Sequence, residues 1–213
     1  MQDTKPSRGK FITIEGIEGV GKTTNIEFIQ RIIDEAGIEC VVTREPGGTP
    51  LAEQIRQLLL DERTEVVSAN CELLMMFAAR SQHLDQFVLP KLNHGNWVIS
   101  DRFTDATYAY QGGGRGVPTE KISILEAYVQ GAFRPDLTIL LDSPVEIGLQ
   151  RAGKRGQLDR FEREKQSFFE KVRVMYLNRA SEEPERIKVV DASRSLAEVQ
   201  VQIREIIEKE LVN

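Results

Sequence analysis

The chain has 213 residues, 40% of them hydrophobic and 29% charged, a globular balance that excludes a disordered polymer and a fibrous repeat and suits one domain spanning 1–213. A formal net charge of −5 argues against nucleic acid or an anionic membrane as partner, since either calls for a basic surface. No apolar run approaches a membrane span and Met1 to Lys10 has no apolar signal core, so the expected location is the cytoplasm.

Taken in order, Lys10 to Glu15 reads as a buried strand, Gly16 to Gly21 as a glycine-rich turn, and Lys22 to Ala36 as a helix with Ile26, Ile29, Ile32 and Ile33 on one stripe. Further strands are expected at Glu39 to Thr43, Trp97 to Asp101, Leu137 to Asp142 and Ile187 to Asp191, with helical patterns between them, one of these running from Cys71 to Leu89. Strands separated by helices predict an α/β fold with a parallel sheet covered on both faces, which the apolar runs Ile139-Leu140-Leu141 and Val189-Val190 suit. Cys40 and Cys71 form no CxxC pair, and with His83 and His94 elsewhere they make no zinc-ligand set, so both are expected as reduced structural thiols.

The strongest chemical signal is Gly16-Ile-Glu-Gly-Val-Gly21-Lys22-Thr23, a complete G-x-x-x-x-G-K-[ST] pattern between a strand and a helix. Its glycines let the backbone wrap a polyphosphate and aim N–H groups inward, and the helix N-terminus adds positive potential. Lys22 is placed to neutralise the β and γ phosphates, and the Thr23 hydroxyl to ligate Mg²⁺, a hard cation commonly shared with substrate phosphates. A P-loop alone does not separate kinases from GTPase switches, ATPases or transporters. The chain carries no guanine-reading Asn-Lys-x-Asp sequence and lacks the length for a motor's extra domain, which disfavours switch and motor.

Three other segments fall where a ligand crevice is expected, at the carboxyl edge of the sheet. Asp101-Arg102 ends the third strand; the carboxylate suits a magnesium shell and the guanidinium a bidentate phosphate clamp, although the pair is equally readable as a strand-end salt bridge. Thr43-Arg44-Glu45-Pro46-Gly47-Gly48-Thr49 and Tyr108-Ala-Tyr110-Gln111-Gly-Gly-Gly-Arg115-Gly116 read as loops suited to an acceptor pocket, or simply as turns. Between the fourth strand and a later helix, Arg151, Lys154, Arg155, Arg160, Arg163 and Lys165 crowd a short stretch, either a lid that closes over phosphates or a solvated basic face. Met75, Met76 and Phe77 fit core packing or a pocket wall.

Taken together, GIEGVGKTT, TREPGGT, the DRF at 101–103, YQGGGRG and DLTILLD resemble the bacterial thymidylate kinases, from about Phe11 to the last helix. The resemblance implies the P-loop nucleoside-monophosphate kinase fold with a five-stranded parallel sheet flanked by helices, a lid at about 143–162, a homodimer, and transfer from MgATP to dTMP to give dTDP for dTTP synthesis. By position it implies that Arg102 and Arg80 bind acceptor and donor phosphates, that Glu18 lies near the sugar 3′-hydroxyl, and that Asp101 acts beside magnesium. Thr107 and Gln111 match positions that hydrogen-bond thymine, Tyr110 the ring that crowds out a ribose 2′-hydroxyl, and Arg44 and Pro46 the loop beside the acceptor. ATP would be held by Gly16, Ile17, Glu18, Gly19, Val20, Gly21, Lys22, Thr23 and Thr24, with adenine between the lid and the Asp191-Ala-Ser-Arg194 turn. Some thymidylate kinases carry an arginine inside the P-loop; here the variable positions are Ile17, Glu18, Gly19 and Val20, so the resemblance assigns the catalytic arginine to the lid, at Arg155, with Arg151 and Arg160 as neighbouring phosphate or adenine contacts. One departure is Met76, where the family usually offers a phenylalanine that stacks on thymine. A kinase for another nucleoside monophosphate, or a non-enzymatic ATP-dependent binding module, are the rival readings.

Overall fold

The computed structural model describes residues 8–61, 64–153, 160–161 and 163–212. Five strands, β1 (Phe11–Glu15), β2 (Cys40–Arg44), β3 (Trp97–Asp101), β4 (Leu137–Asp142) and β5 (Ile187–Asp191), form one sheet in the order β2-β3-β1-β4-β5. Every pairing is parallel, with Ile14 beside Asp101 and Ile139, and Arg44 beside Asp101. The carboxyl ends of β1 and β3 are thereby neighbours, and whatever follows those strands shares one edge.

Successive side chains leave a strand on opposite faces, which splits the core in two. On one face Ile12, Ile14 and Ile99 pack with Ile29 and Ile33 of α1 (Lys22–Glu35) and Ile203 and Ile207 of α9 (Leu196–Val212). On the other, Phe11 and Val98 meet Leu84, Val88 and Leu92. The sheet is covered on both faces at its centre but not at its edges, where Val42 and Val189 stand exposed on β2 and β5.

Two expected elements differ. The apolar pattern expected as one helix from Cys71 to Leu89 is α3 (Ala69–His83), a π-helical turn (Leu84–Val88) and α4 (Leu89–Asn93), one continuous helical run in which Pro90, with no N–H to donate, follows directly on the π turn. The expected loop Tyr108 to Gly116 is mostly helical: α5 (Thr104–Thr107) runs directly into a π-helical segment (Tyr108–Gly114). Its glycines serve close packing rather than a turn, because a Cβ on Gly113 would lie 2.8 Å from the Lys171 carbonyl oxygen and one on Gly114 2.4 Å from the Phe168 ring, both on α8 (Gln166–Glu182). Strand and helix ends otherwise shift by one residue, as at Lys10, Ala36 and Glu39. Both cysteines are free thiols, but Cys71 is exposed, so only the half-buried Cys40 serves packing. The remaining helices are α2 (Pro50–Leu60), capped by Thr49, whose Oγ1 accepts from the Ala52 N–H, α6 (Thr119–Gln130) and α7 (Val145–Ala152). Among the described residues no helix is long and apolar enough to cross a membrane.

Candidate active site

The P-loop joins β1 to α1 in the geometry its glycines dictate. Gly16, Gly19 and Gly21 have φ of 135°, 75° and 89°, values that L side chains rarely adopt. A Cβ on Gly19 would also fall 1.9 Å from the Gly148 carbonyl oxygen of α7. Ile17 and Val20 bury their side chains in the core, so this loop offers a ligand its backbone, with Glu18 and Lys22 as its acid and its base. Gly21 caps α1 without any side-chain acceptor, leaving the first N–H groups of the helix for a ligand. The Lys22 ammonium donates to the carbonyls of Gly16 and Ile17, at 3.2 and 3.1 Å. Burial lowers its pKa, Arg102 adds to that, and Asp101, Glu18 and Glu15 oppose it.

Arg102 follows β3 in the left-handed region at φ 72°, among the described residues the one non-glycine there. Three hydrogen bonds hold this turn: Arg102 N–H to the Ile14 carbonyl (3.0 Å), Ser100 Oγ to the Arg102 carbonyl (2.7 Å) and Phe103 N–H to Glu15 Oε1 (2.7 Å). The guanidinium lies over the Tyr110 ring, 4.5 Å from its centroid, and donates to Glu18 at 2.8 Å. Tyr110 Oη donates to both Glu18 oxygens at 2.8 Å. Beside them Asp101 Oδ1 is buried with no hydrogen-bond partner among the described residues.

Glu15 is fully buried and also accepts from Tyr176 Oη at 2.7 Å. Burial, with Asp105 adding to it, pushes its carboxyl up to about 8 against the pull of Arg102, Tyr176 and Phe103. A carboxyl whose folded pKa is raised supplies stability that is complete below its ordinary value of 4.5 and lost as pH climbs to about 8. Glu15→Gln keeps the shape without the titration. Its melting temperature is expected to gain on the wild type between pH 5 and pH 9, and parallel melting curves across that range would refute this account.

Across the cleft α3 supplies Arg80 and Met76. Arg80 is 2% exposed and donates to Glu45 (2.7 Å) and Thr107 Oγ1 (2.9 Å), leaving its second terminal nitrogen buried and without a partner among the described residues. His83 braces Glu45 from behind at 2.9 Å and bonds Thr43 Oγ1 at 2.7 Å. Arg80 and His83 outweigh burial and hold the Glu45 carboxyl below the usual range. The peptide between Glu45 and Pro46 is cis.

One cleft brings together Glu18, Lys22, Thr23, Pro46, Met76, Arg80, Asp101, Arg102, Thr107, Tyr110 and Gln111, all picked out from the sequence. Others lie apart. Arg44 points outward in an exposed pair with Glu53, and Thr24 is exposed beyond the cleft. Arg151 donates to the Ala192 carbonyl at 3.0 Å, joining the end of α7 to the Asp191 turn, where Arg194 pairs with Asp191 on the surface. Arg160, expected beside phosphate or adenine, instead donates to buried Glu72 and the Leu59 carbonyl on the opposite wall, at 2.7 and 2.9 Å, because Glu72 presents a carboxylate at 0% exposure there. Arg155 lies outside the described residues. Sequence reasoning missed Arg56, Phe161 and Glu45 in the cleft wall, and Glu72 and Glu15 behind it. Glu45 was within reach, lying inside the quoted Thr43 to Thr49 segment; Glu15 and Glu72 carry no motif signal.

A P-loop after the central strand, a single cleft running from it to Arg80, Thr107 and Gln111, and the β2-β3-β1-β4-β5 parallel order make up the architecture of the P-loop nucleoside-monophosphate kinases. The thymidylate kinase family model matches residues 14–203, and the chain belongs to the thymidylate kinase family. It is 59% identical over 196 residues to a thymidylate kinase from Hahella chejuensis, covering 92% of this chain and 94% of that one, and 56% identical over 200 residues to one from Teredinibacter turnerae, covering 94% and 98%. The crystal structure of thymidylate kinase from Ehrlichia chaffeensis superposes with a TM-score of 0.75 at 30% identity, covering 94% of this chain and 99% of that one.

Proposed function

We propose that this protein transfers the γ-phosphoryl group of MgATP to dTMP, giving dTDP and ADP for dTTP synthesis. The observation that carries the reading is one cleft with two chemistries: a P-loop lysine on one side, and on the other a buried arginine with a spare donor beside Thr107 and Gln111. A phosphate-binding half continuous with a polar, base-sized recess is what a donor and an acceptor nucleotide require.

Little covalent chemistry is needed for an in-line transfer, so positioning and charge neutralisation carry the rate. Backbone amides of residues 16–24 and Lys22 hold the β and γ phosphates, and Arg102 clamps the acceptor phosphate. Glu18, held by Arg102 and Tyr110, lies where a sugar 3′-hydroxyl can bond it, and Tyr110 closes the space that a 2′-hydroxyl needs. Thr107, Gln111 and Met76 receive the base, with Pro46 beside them; Arg80, expected at a phosphate, donates to Thr107 and is therefore read with the base instead, and Arg44 contributes only if its pair with Glu53 opens. Thr23 and the orphaned oxygen of Asp101 fit a magnesium ion held mainly by phosphates, and no cluster of three ligands exists among the described residues to hold the ion alone. Mg²⁺ when bound neutralises charge on the transferring phosphates. Arg155, in a lid of about 143–162 within a single domain, supplies the catalytic arginine, and Arg151 and Arg194 flank the adenine. The protein acts in the cytoplasm as a homodimer; exposed Leu74, Ile124 and Tyr128 on the packed helices α3 and α6 offer an apolar face for the partner copy.

A coupled ADP-release assay with MgATP, adding dTMP and then each other nucleoside monophosphate, tests the reading. Strong stimulation by dTMP is expected. Stimulation by a different acceptor alone would keep the kinase and discard thymine, the outcome that Met76 in place of a ring would then explain; no stimulation by any acceptor would leave an ATP-binding module.

A further inference from the structure

Three groups converge on the carboxylate of Glu72, on α3 at 0% exposure. Gln111 Nε2 donates to one oxygen at 2.8 Å, Arg115 Nε to the same oxygen at 3.2 Å, and Arg160 to the other at 2.7 Å. Arg115 is itself tied to Glu164, and both guanidiniums lie against the Phe161 ring, 5.6 and 4.4 Å from its centroid. Of these only Gln111 and Phe161 line the cleft.

The chemistry of the hub sets the amide. An ionised carboxylate accepts and never donates, so the Gln111 side chain must turn its NH₂ to Glu72 and its carbonyl oxygen to the cleft. Two guanidiniums donate to that carboxylate and hold it in place. We infer that Glu72 is a positioning residue for base selection: by locking the Gln111 amide with its oxygen toward the ligand, it selects bases that carry an N3–H donor, thymine and uracil, against cytosine, whose N3 is an acceptor. Arg160, arriving from the segment before α8, binds the carboxylate on its second oxygen, so its seating supports the same lock.

This rests on the dTMP reading, and the test separates the two. Glu72→Gln preserves shape but can donate, freeing the Gln111 amide to turn over and offer N–H to cytosine N3. Comparing kcat/KM for dTMP, dUMP and dCMP, the variant is expected to lower the dTMP:dCMP preference by at least about tenfold, because discrimination by a buried hydrogen bond is lost. The dTMP:dUMP ratio, which depends on the methyl group alone, stays within about twofold, and Glu72→Asp, again an acceptor only, restores most of the dTMP:dCMP preference. An equal fall for all three acceptors means a scaffold role and overturns the inference, as does a wild type that uses dCMP as well as dTMP. Should Glu72→Gln fail to fold, Arg160→Met decides: the dTMP:dCMP ratio at fixed ATP falls several-fold if the lock is real and holds if it is not. A wild type inactive on every thymine nucleotide refutes the functional reading instead, before any variant is compared.

Discussion

Lys22→Ala is expected to lower turnover with saturating dTMP and MgATP by ~10³-fold, the scale typical for removing a preorganised charge from a phosphoryl-transfer site. The ammonium lies in a cleft with Asp101, Glu18 and Glu15 around it, and among the described residues its own bonds run only to the carbonyls of Gly16 and Ile17. Burial has already stripped much of its water, which is why its pKa falls and why its charge acts strongly on an incoming polyphosphate. The fold should survive: the variant leaves two carbonyls without a donor, a cost of about 1–3 kcal/mol at most, read as a drop of a few degrees in melting temperature. Initial rates of ADP release and a thermal melt on the same preparation separate these effects. A turnover loss below about tenfold with the fold intact would remove Lys22 from the mechanism.

Arg102 gives the second large effect, with a complication that makes it diagnostic. At φ 72° this residue occupies a region that costs an L side chain about 1–2 kcal/mol. The sheet imposes the cost, since Ile14, Ser100 and Glu15 each bond the turn. Arg102→Ala keeps the strain and removes the guanidinium; Arg102→Gly removes both. Each is expected to lose ~10²- to 10³-fold in kcat, and the glycine variant should melt no lower than the alanine variant. Arg102→Lys, a point charge without the planar fork, should recover only part of the rate. If kcat held and only KM for dTMP rose, the arginine would contribute ground-state binding alone. Backbone strain kept in place for one side chain is the signature of a group whose direction matters more than its stability.

The cleft was legible from sequence where chemistry is local. A glycine-rich turn between an apolar strand and an amphipathic helix sets phosphate binding by spacing alone, and Asp101-Arg102 was found because it ends an apolar strand, whereas Arg80 came only by position from the family resemblance. What sequence does not encode is the partner of a charge. Glu15 in a strand and Glu72 in a helix look like ordinary polar positions, yet both are fully buried, one bracing the Arg102 turn and the other gathering Gln111, Arg115 and Arg160 from elements 39 to 88 residues away. The glycines at 112–114 were read as part of a pocket loop or a turn, because local preference cannot distinguish a glycine needed for φ from one needed for space, as Gly113 and Gly114 are against α8. Arg44 was expected at the acceptor because a motif reports neighbourhood, while side-chain direction is set by whichever carboxylate lies nearer, here Glu53.

The residues alone thus determined the parallel sheet, the phosphate loop and the family, because periodicity, glycine spacing and strand–helix alternation are properties of short segments. Tertiary structure decided which side chains face each other: register places β1 beside β3 and so Lys22 beside Asp101 and Arg102, and burial leaves an oxygen of Asp101 and a nitrogen of Arg80 with no partner among the described residues. Those pairings depend on chain closure across many residues, and burial against the packed core strengthens each of them.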